Sequence, residues 1–323
     1  MFLSSRGMKR LSQKGTKQLS GIYHNWRGNS MKHEAAHRGI TLALGGIGLR
    51  GALNIGLLQA LSEASFPIKK IVATGVSAMI GAHFALGRNP GEVLPRIIRF
   101  FEENHHAMWE LEQLGALSPA EKRMAARSMS YFLRESLFCH ANLTRLGVFE
   151  WDLVEANLLQ LFGNLTVEDL ETPLAVSVID IEKGQETLLG AGRIFDLVRA
   201  GIAFPGLFPP VVISGRKYVS SATYCALPLC SLCDADRPIV VLSLPERREV
   251  RPQRSMIEVL ARVDEIRGKA LTRQILSKAD RVISLDRFGR ENWSSFRRLE
   301  KAIPLVKQAC TKEISSWSSQ ESQ

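Results

Sequence analysis

The stretch from residue 40 to residue 86 leaves this chain few folds to choose from. Two apolar strands each run into a glycine-bearing turn, and each turn opens a helix. In the first unit Ile40-Thr41-Leu42-Ala43-Leu44 leads into Gly45-Gly46-Ile47-Gly48-Leu49-Arg50-Gly51 and then a helical Ala52 to Leu61. In the second, Ile71-Val72-Ala73 leads into Thr74-Gly75-Val76-Ser77-Ala78, and Met79 to Leu86 continues at helical spacing. Ser77, on a sharp strand-to-helix turn with the positive end of the helix beneath it, is expected to be an exposed nucleophile. The glycine turn can supply the other half of an acyl-transfer site, because glycine lets backbone N–H groups approach a developing oxyanion closely.

Further along, Glu92 to Glu103, Pro119 to Phe138 and Phe149 to Phe162 carry apolar residues at three-four spacing and read as helices. His105, His106 and His140 lie in that region without the spacing of a metal site. Leu174 to Ile179 is a buried strand ending at Asp180, an acid expected to tie down the following turn. Pro205 and Pro209-Pro210 force an extended path between a helix at 195 to 203 and the hairpin Val211-Val212-Ile213 with Lys217-Tyr218-Val219. Ile239 to Leu244 is another apolar strand. A basic helix from Gln253 to Ser277, a last strand at 281 to 285 and a polar tail from Thr311 complete the chain. Strands alternating with helices predict a three-layer α/β/α fold with a mostly parallel central sheet.

The net charge of +10 is concentrated at one end. Residues 1 to 38 hold Arg6, Lys9, Arg10, Lys14, Lys17, Arg27, Lys32 and Arg38 against Glu34 alone. This arm lacks the apolar segment of ~7 to 15 residues that marks a secretory signal. It reads as a disordered tail, a contact for anionic lipid or a targeting segment, with Met31 a candidate alternative start. No stretch approaches the ~18 apolar residues of a membrane span. Five scattered cysteines point to free thiols in a reducing compartment; the Cys230–Cys233 pair, on a stretch read as helix, lacks a second ligand pair for zinc.

Three blocks in order resemble the patatin-like phospholipases, in particular the compact bacterial kind: Leu44 to Leu61, Gly75-Val76-Ser77-Ala78, and Ala200 to Val211. The likeness covers roughly residues 39 to 312, taken as the domain, with 91 to 163 as a helical cover and 313 to 323 as a polar tail. The resemblance implies a serine lipid acyl hydrolase of phospholipase A or esterase type. Ser77 would be its nucleophile and Gly46, Ile47, Gly48 and Arg50 its oxyanion loop. It implies a lipid or ester substrate, no metal, no cofactor, no nucleic acid, and a cytoplasmic protein able to sit peripherally at a membrane.

The departures from the family fall on the site. The family's proton-accepting aspartate has Ser220 in its place, followed by Ser221 and Ala222. Met79 stands where the elbow has its last glycine, and Ile47 replaces the middle glycine of the oxyanion loop. A serine hydroxyl cannot act as a base near neutral pH. Lys217, His83, Asp234 and Asp236 are poorly placed to substitute. The sequence therefore supports either a weakened hydrolase or a non-catalytic protein binding lipid or a protein partner. Gly46-Ile47-Gly48-Leu49-Arg50-Gly51 also spells a dinucleotide fingerprint, but the acidic residue that would hold the ribose is missing from Phe66 through Gly91.

Overall fold

A computed structural model describes residues 39–46, 48–103, 146–147, 149–243, 256–285 and 296–320. The basic arm, Ile47, the stretch from Pro119 to Phe138 and His105, His106 and His140 lie outside them. Among the described residues eight strands form one sheet: β1 (Ile40–Leu44), β2 (Ile68–Ala73), β3 (Leu174–Asp180), β4 (Gln185–Leu189), β5 (Val211–Ile213), β6 (Arg216–Ser220), β7 (Ile239–Ser243) and β8 (Arg281–Ser284). The order runs β5-β6-β3-β2-β1-β7-β8, with β4 also on β3. The ladders between β1, β2, β3, β7 and β8 are all parallel, whereas β4, β5 and β6 join antiparallel.

Alternation sorts the strand side chains onto two faces. Leu42, Leu44, Ile71, Ala73, Leu174, Val176, Val240 and Leu242 enter the larger core. Helices α1 (Asn54–Glu63), α2 (Val76–Ala85), α3 (Val93–Glu103), α4 (Asp152–Phe162) and α5 (Ile194–Ile202) contribute to that face, together with α7 (Phe296–Gln320). Ala43, Val72, Ala175, Ile239 and Val241 face the other way, into a smaller core closed by α6 (Met256–Ile275) and the loop from Cys225 to Leu232. The expected three layers are present, and α6 is the helix of the second face. Gly56 lets α1 and α7 approach closely, since a Cβ there would lie 2.8 Å from the Ile303 carbonyl.

Register places the turns that matter. Leu44 pairs with Ala73, so β1 and β2 end side by side. β4 occupies one edge of β3 from Val176 to Asp180, so β2 and β6 share the other edge. β2 takes the first half, ending at Ala73 opposite Val176, and β6 the second, with Ser220 opposite Val178. The end of β6 therefore lies directly ahead of the end of β2.

Two sequence expectations are corrected. The polar tail is no tail, because α7 continues to Gln320 and buries Ile314 and Trp317. Ile303, Val306, Cys310, Ile314 and Trp317 make one stripe at helical spacing, and the serines between them occupy the outer face. The stretch from Cys230 to Cys233 is turn and irregular backbone, with Cys233 opening a 3-10 turn at Asp234–Asp236. Asp180 does tie down its turn, accepting from the Glu182 and Lys183 N–H groups at 3.1 and 3.0 Å.

His83 lies buried on α2, its Nε2 3.3 Å from Glu92 Oε2 and its Nδ1 buried with no partner among the described residues. Burial pushes the imidazole below its ordinary pKa, and the bond to Glu92 offsets this only in part. The folded state thus binds fewer protons than the unfolded chain once the pH falls below about 6.5, and stability is lost from there downward. The melting temperature is expected to fall between about pH 6.5 and 5, and His83→Gln to flatten that dependence.

Candidate active site

The strand-to-helix turn has its apex at Gly75. Its φ of 60° and ψ of −146° are the strained conformation that holds an elbow residue clear of the sheet. Ser77 comes two residues later, already in the first turn of α2, and is fully buried. Its hydroxyl lies 3.1 Å from both the Gly45 and Gly51 carbonyls, between which its single proton is shared, and it accepts from Asn54 Nδ2 at 3.0 Å. The expected exposure of Ser77 is corrected: its oxygen faces the underside of the glycine turn. Counted from the apex, the elbow reads Ala73-Thr74-Gly75-Val76-Ser77. Ser77 lies two residues past the apex, where chain elements approach closely, and Met79 two residues further. The tightness is visible at Gly51, where a Cβ would lie 2.8 Å from Ser77 Oγ.

Asn54 was not singled out from the sequence, yet it organises this corner. Buried at the start of α1, it donates to the Gly45 carbonyl at 2.7 Å, the Gly51 carbonyl at 3.0 Å and Ser77. The signal was available as a lone polar residue within the apolar run Ala52 to Leu58. Ser77→Ala is expected to cost about 1 to 2 kcal/mol and Asn54→Ala about 1 to 3 kcal/mol, by removing buried hydrogen bonds to the Gly45 and Gly51 carbonyls. The two losses should be non-additive in a urea-denaturation double-mutant cycle.

Around the apex it is Gly75 and Ser220 that converge. The C-terminal end of α5 holds both: Gly75 N–H donates to the Gly201 carbonyl at 3.0 Å and Ser220 N–H to the Ala203 carbonyl at 2.8 Å. Gly201 is required there, since a Cβ would meet Val176 at 2.7 Å and Ala78 at 2.8 Å. A Cβ on Gly75 would meet only the Gly46 carbonyl at 3.4 Å and the Ala222 methyl at 3.5 Å, which are ordinary contacts. Ser220 is fully buried, accepts from the Ala222 N–H at 3.3 Å and lies 3.5 Å from Thr74 Oγ1. From Thr74 a line of hydroxyls continues through Ser221 (2.8 Å) and Ser177 (2.7 Å) to Glu186 Oε1 (2.7 Å). Burial pushes the Glu186 carboxyl up, with the Ser177 hydroxyl opposing. This is the carboxyl group tied to the site by hydrogen bonds, and three hydroxyls separate it from Ser220.

In the glycine turn, Gly46 has a φ of 126°, and its N–H is committed to the Ala226 carbonyl at 2.8 Å. It is therefore not free to donate to an acyl oxygen. Gly48 and Arg50 lie on the 3-10 turn Gly48–Leu53 that leads into α1. The turn is packed against chain, for a Cβ on Gly45 would sit 2.0 Å from the Ala226 carbonyl, so it makes no cradle for a pyrophosphate. The alternative bases fall away from the apex. Lys217 is exposed on the face of β6 opposite to Ser220. Asp234 is exposed, and Asp236 pairs with Lys70 at 2.7 Å, toward the far end of β2. Burial works against ionisation of Asp236, but Lys70 and the Cys233 N–H hold its carboxyl below the usual range. Among the described residues no three His, Cys, Asp or Glu side chains gather as a metal site.

A mostly parallel α/β/α sheet with a glycine turn, a strained elbow and a second strand end facing it defines an acyl-hydrolase scaffold. The sequence model of the patatin-like phospholipase family matches residues 42–230, more than half of the chain, and the chain belongs to that family. It is 25% identical over 172 residues to neuropathy target esterase sws of Drosophila grimshawi, covering 53% of this chain and 10% of the fly protein. It is 23% identical over 215 residues to an uncharacterized NTE family protein of Mycobacterium tuberculosis, covering 67% of this chain and 51% of that one. The chain thus spans about half the length of the mycobacterial relative and a tenth of the fly one. Among solved structures it aligns with VipD from Legionella pneumophila at a TM-score of 0.45 and 14% identity, over 87% of this chain and 67% of that one.

Proposed function

We propose that this chain is a patatin-like scaffold that binds an acyl lipid or related ester without cleaving it. The observation that carries the reading is the glycine at the elbow apex, which has no side-chain atom to attack a carbonyl. Ser220 adds to it: where the family places an aspartate base, a buried hydroxyl cannot take a proton near neutral pH. Family membership supports the ligand class, since patatin-like phospholipases act on acyl lipids. A weakened hydrolase using Ser77 would need that hydroxyl to leave its two carbonyl partners and reach solvent.

The test is a fluorophosphonate probe on the full chain, with mass spectrometry of the labelled peptides, beside nitrophenyl ester turnover. No labelling at Ser77 or Ser220 and no turnover above a Ser77→Ala variant are expected. Rapid stoichiometric labelling at Ser77 would overturn the proposal. Binding is read separately, by retention of a fluorescent fatty-acyl phospholipid in detergent-free gel filtration. A chain that neither binds nor cleaves it would refute the lipid-binding half.

A further inference from the structure

We infer that the outer face of α6 is a contact surface for an anionic lipid bilayer. The inner face of this helix is accounted for: Gly268 lies against the Thr223 and Tyr224 carbonyls, and Leu271 and Ile275 belong to the smaller core. On the opposite side, Val259, Val263 and Ile266 are 49%, 59% and 52% exposed, and Ala270 is exposed in line with them. At about 100° per residue these four positions fall within about 60° of arc, a continuous apolar stripe facing solvent. Three large aliphatic side chains left half-open on one stripe of a surface helix are a different matter from apolar residues scattered singly.

The charges decide the occupant. Arg262, Arg267, Lys269 and Arg273 occupy positions about 50° to 90° from the centre of the stripe and lie on both sides of it. An apolar stripe framed by basic positions is the pattern of a helix that lies in the headgroup region of an anionic membrane. A second copy of this basic chain would bring like-charged frames together and is disfavoured. The inference does not depend on whether the elbow is silent.

The experiment is co-sedimentation of the full chain with phosphatidylcholine vesicles containing, or lacking, a substantial minority of phosphatidylglycerol. The parent is expected to bind the anionic vesicles, less at high salt. Val263→Glu/Ile266→Glu should lower the partition coefficient at least about tenfold, the milder Val259→Ser/Val263→Ser severalfold, and Arg273→Glu about fivefold or more on the anionic vesicles. The positions are exposed, so melting temperatures should match the parent; if the glutamate pair fails to fold, the serine pair and Arg273→Glu carry the test. Undiminished binding by the stripe variants, or loss of binding only when residues 1 to 30 are deleted, overturns the assignment. So does a parent that binds no vesicles, or a stripe variant whose sole change is loss of a dimer in gel filtration.

Discussion

The double variant Gly75→Ser/Ser220→Asp is expected to show esterase activity at least about 10²-fold above the parent and above either single change. A general base contributes typically ~10² to 10⁴ in rate, about 3 to 5.5 kcal/mol of barrier, and it does so only when a nucleophile stands beside it. The fold has room for both. The hydroxyl would grow from a Cβ whose nearest neighbours are at 3.4 and 3.5 Å. The carboxylate would inherit the Ala222 N–H and the neighbouring Thr74 hydroxyl that now serve Ser220. A non-glycine residue at this φ and ψ costs about 1 to 3 kcal/mol, so folding is checked first by thermal melting. Met79→Gly, the repair that a nucleophile at Ser77 would call for, should leave activity unchanged. A folded double variant no more active than the parent would mean that the dyad is not what this site lacks, and would move attention to the glycine turn, where Gly46 has already spent its N–H on Ala226.

Trp317→Ala is expected to lower stability by about 3 to 5 kcal/mol in urea denaturation. Its ring packs edge-on to Phe66 at 5.8 Å and lies beneath the Arg281 guanidinium at 4.8 Å, so it joins α7 to the start of β2 and to β8. Truncation before Thr311 would also remove Ile314 from the core and should abolish a cooperative transition. If residues 311 to 323 were a tail, neither change would register.

The strands and both strand–turn–helix units were legible because their apolar runs are uninterrupted and their turns carry glycine. β2 starts earlier than its apolar core suggested, at Ile68, with Lys70 paired to Thr41 and Lys69 at the register shift before it. That the positive φ of the second turn falls on Gly75 was not legible, for a chemical reason. Searching for a nucleophile fixes on a serine, whereas the backbone marks the apex by positive φ, and here a glycine occupies it. The available sign was Met79, a bulky residue where the motif demands a small one. The C-terminal helix was missed because serines and charges dominate its composition, while Ile314 and Trp317 continue the stripe of Val306 and Cys310 at three-four spacing. The shared edge of β3 could not have been read from composition or periodicity, since it depends on which strands pair.

That shared edge has an evolutionary reading. With β2 ending opposite Val176 and β6 ending opposite Val178, positions 75 and 220 are brought together by ladder hydrogen bonds and by the tip of α5, none of which involves their own side chains. The meeting point is thus written in the main chain. Side chains at the two positions can therefore be exchanged over the generations while the main chain keeps the places in register.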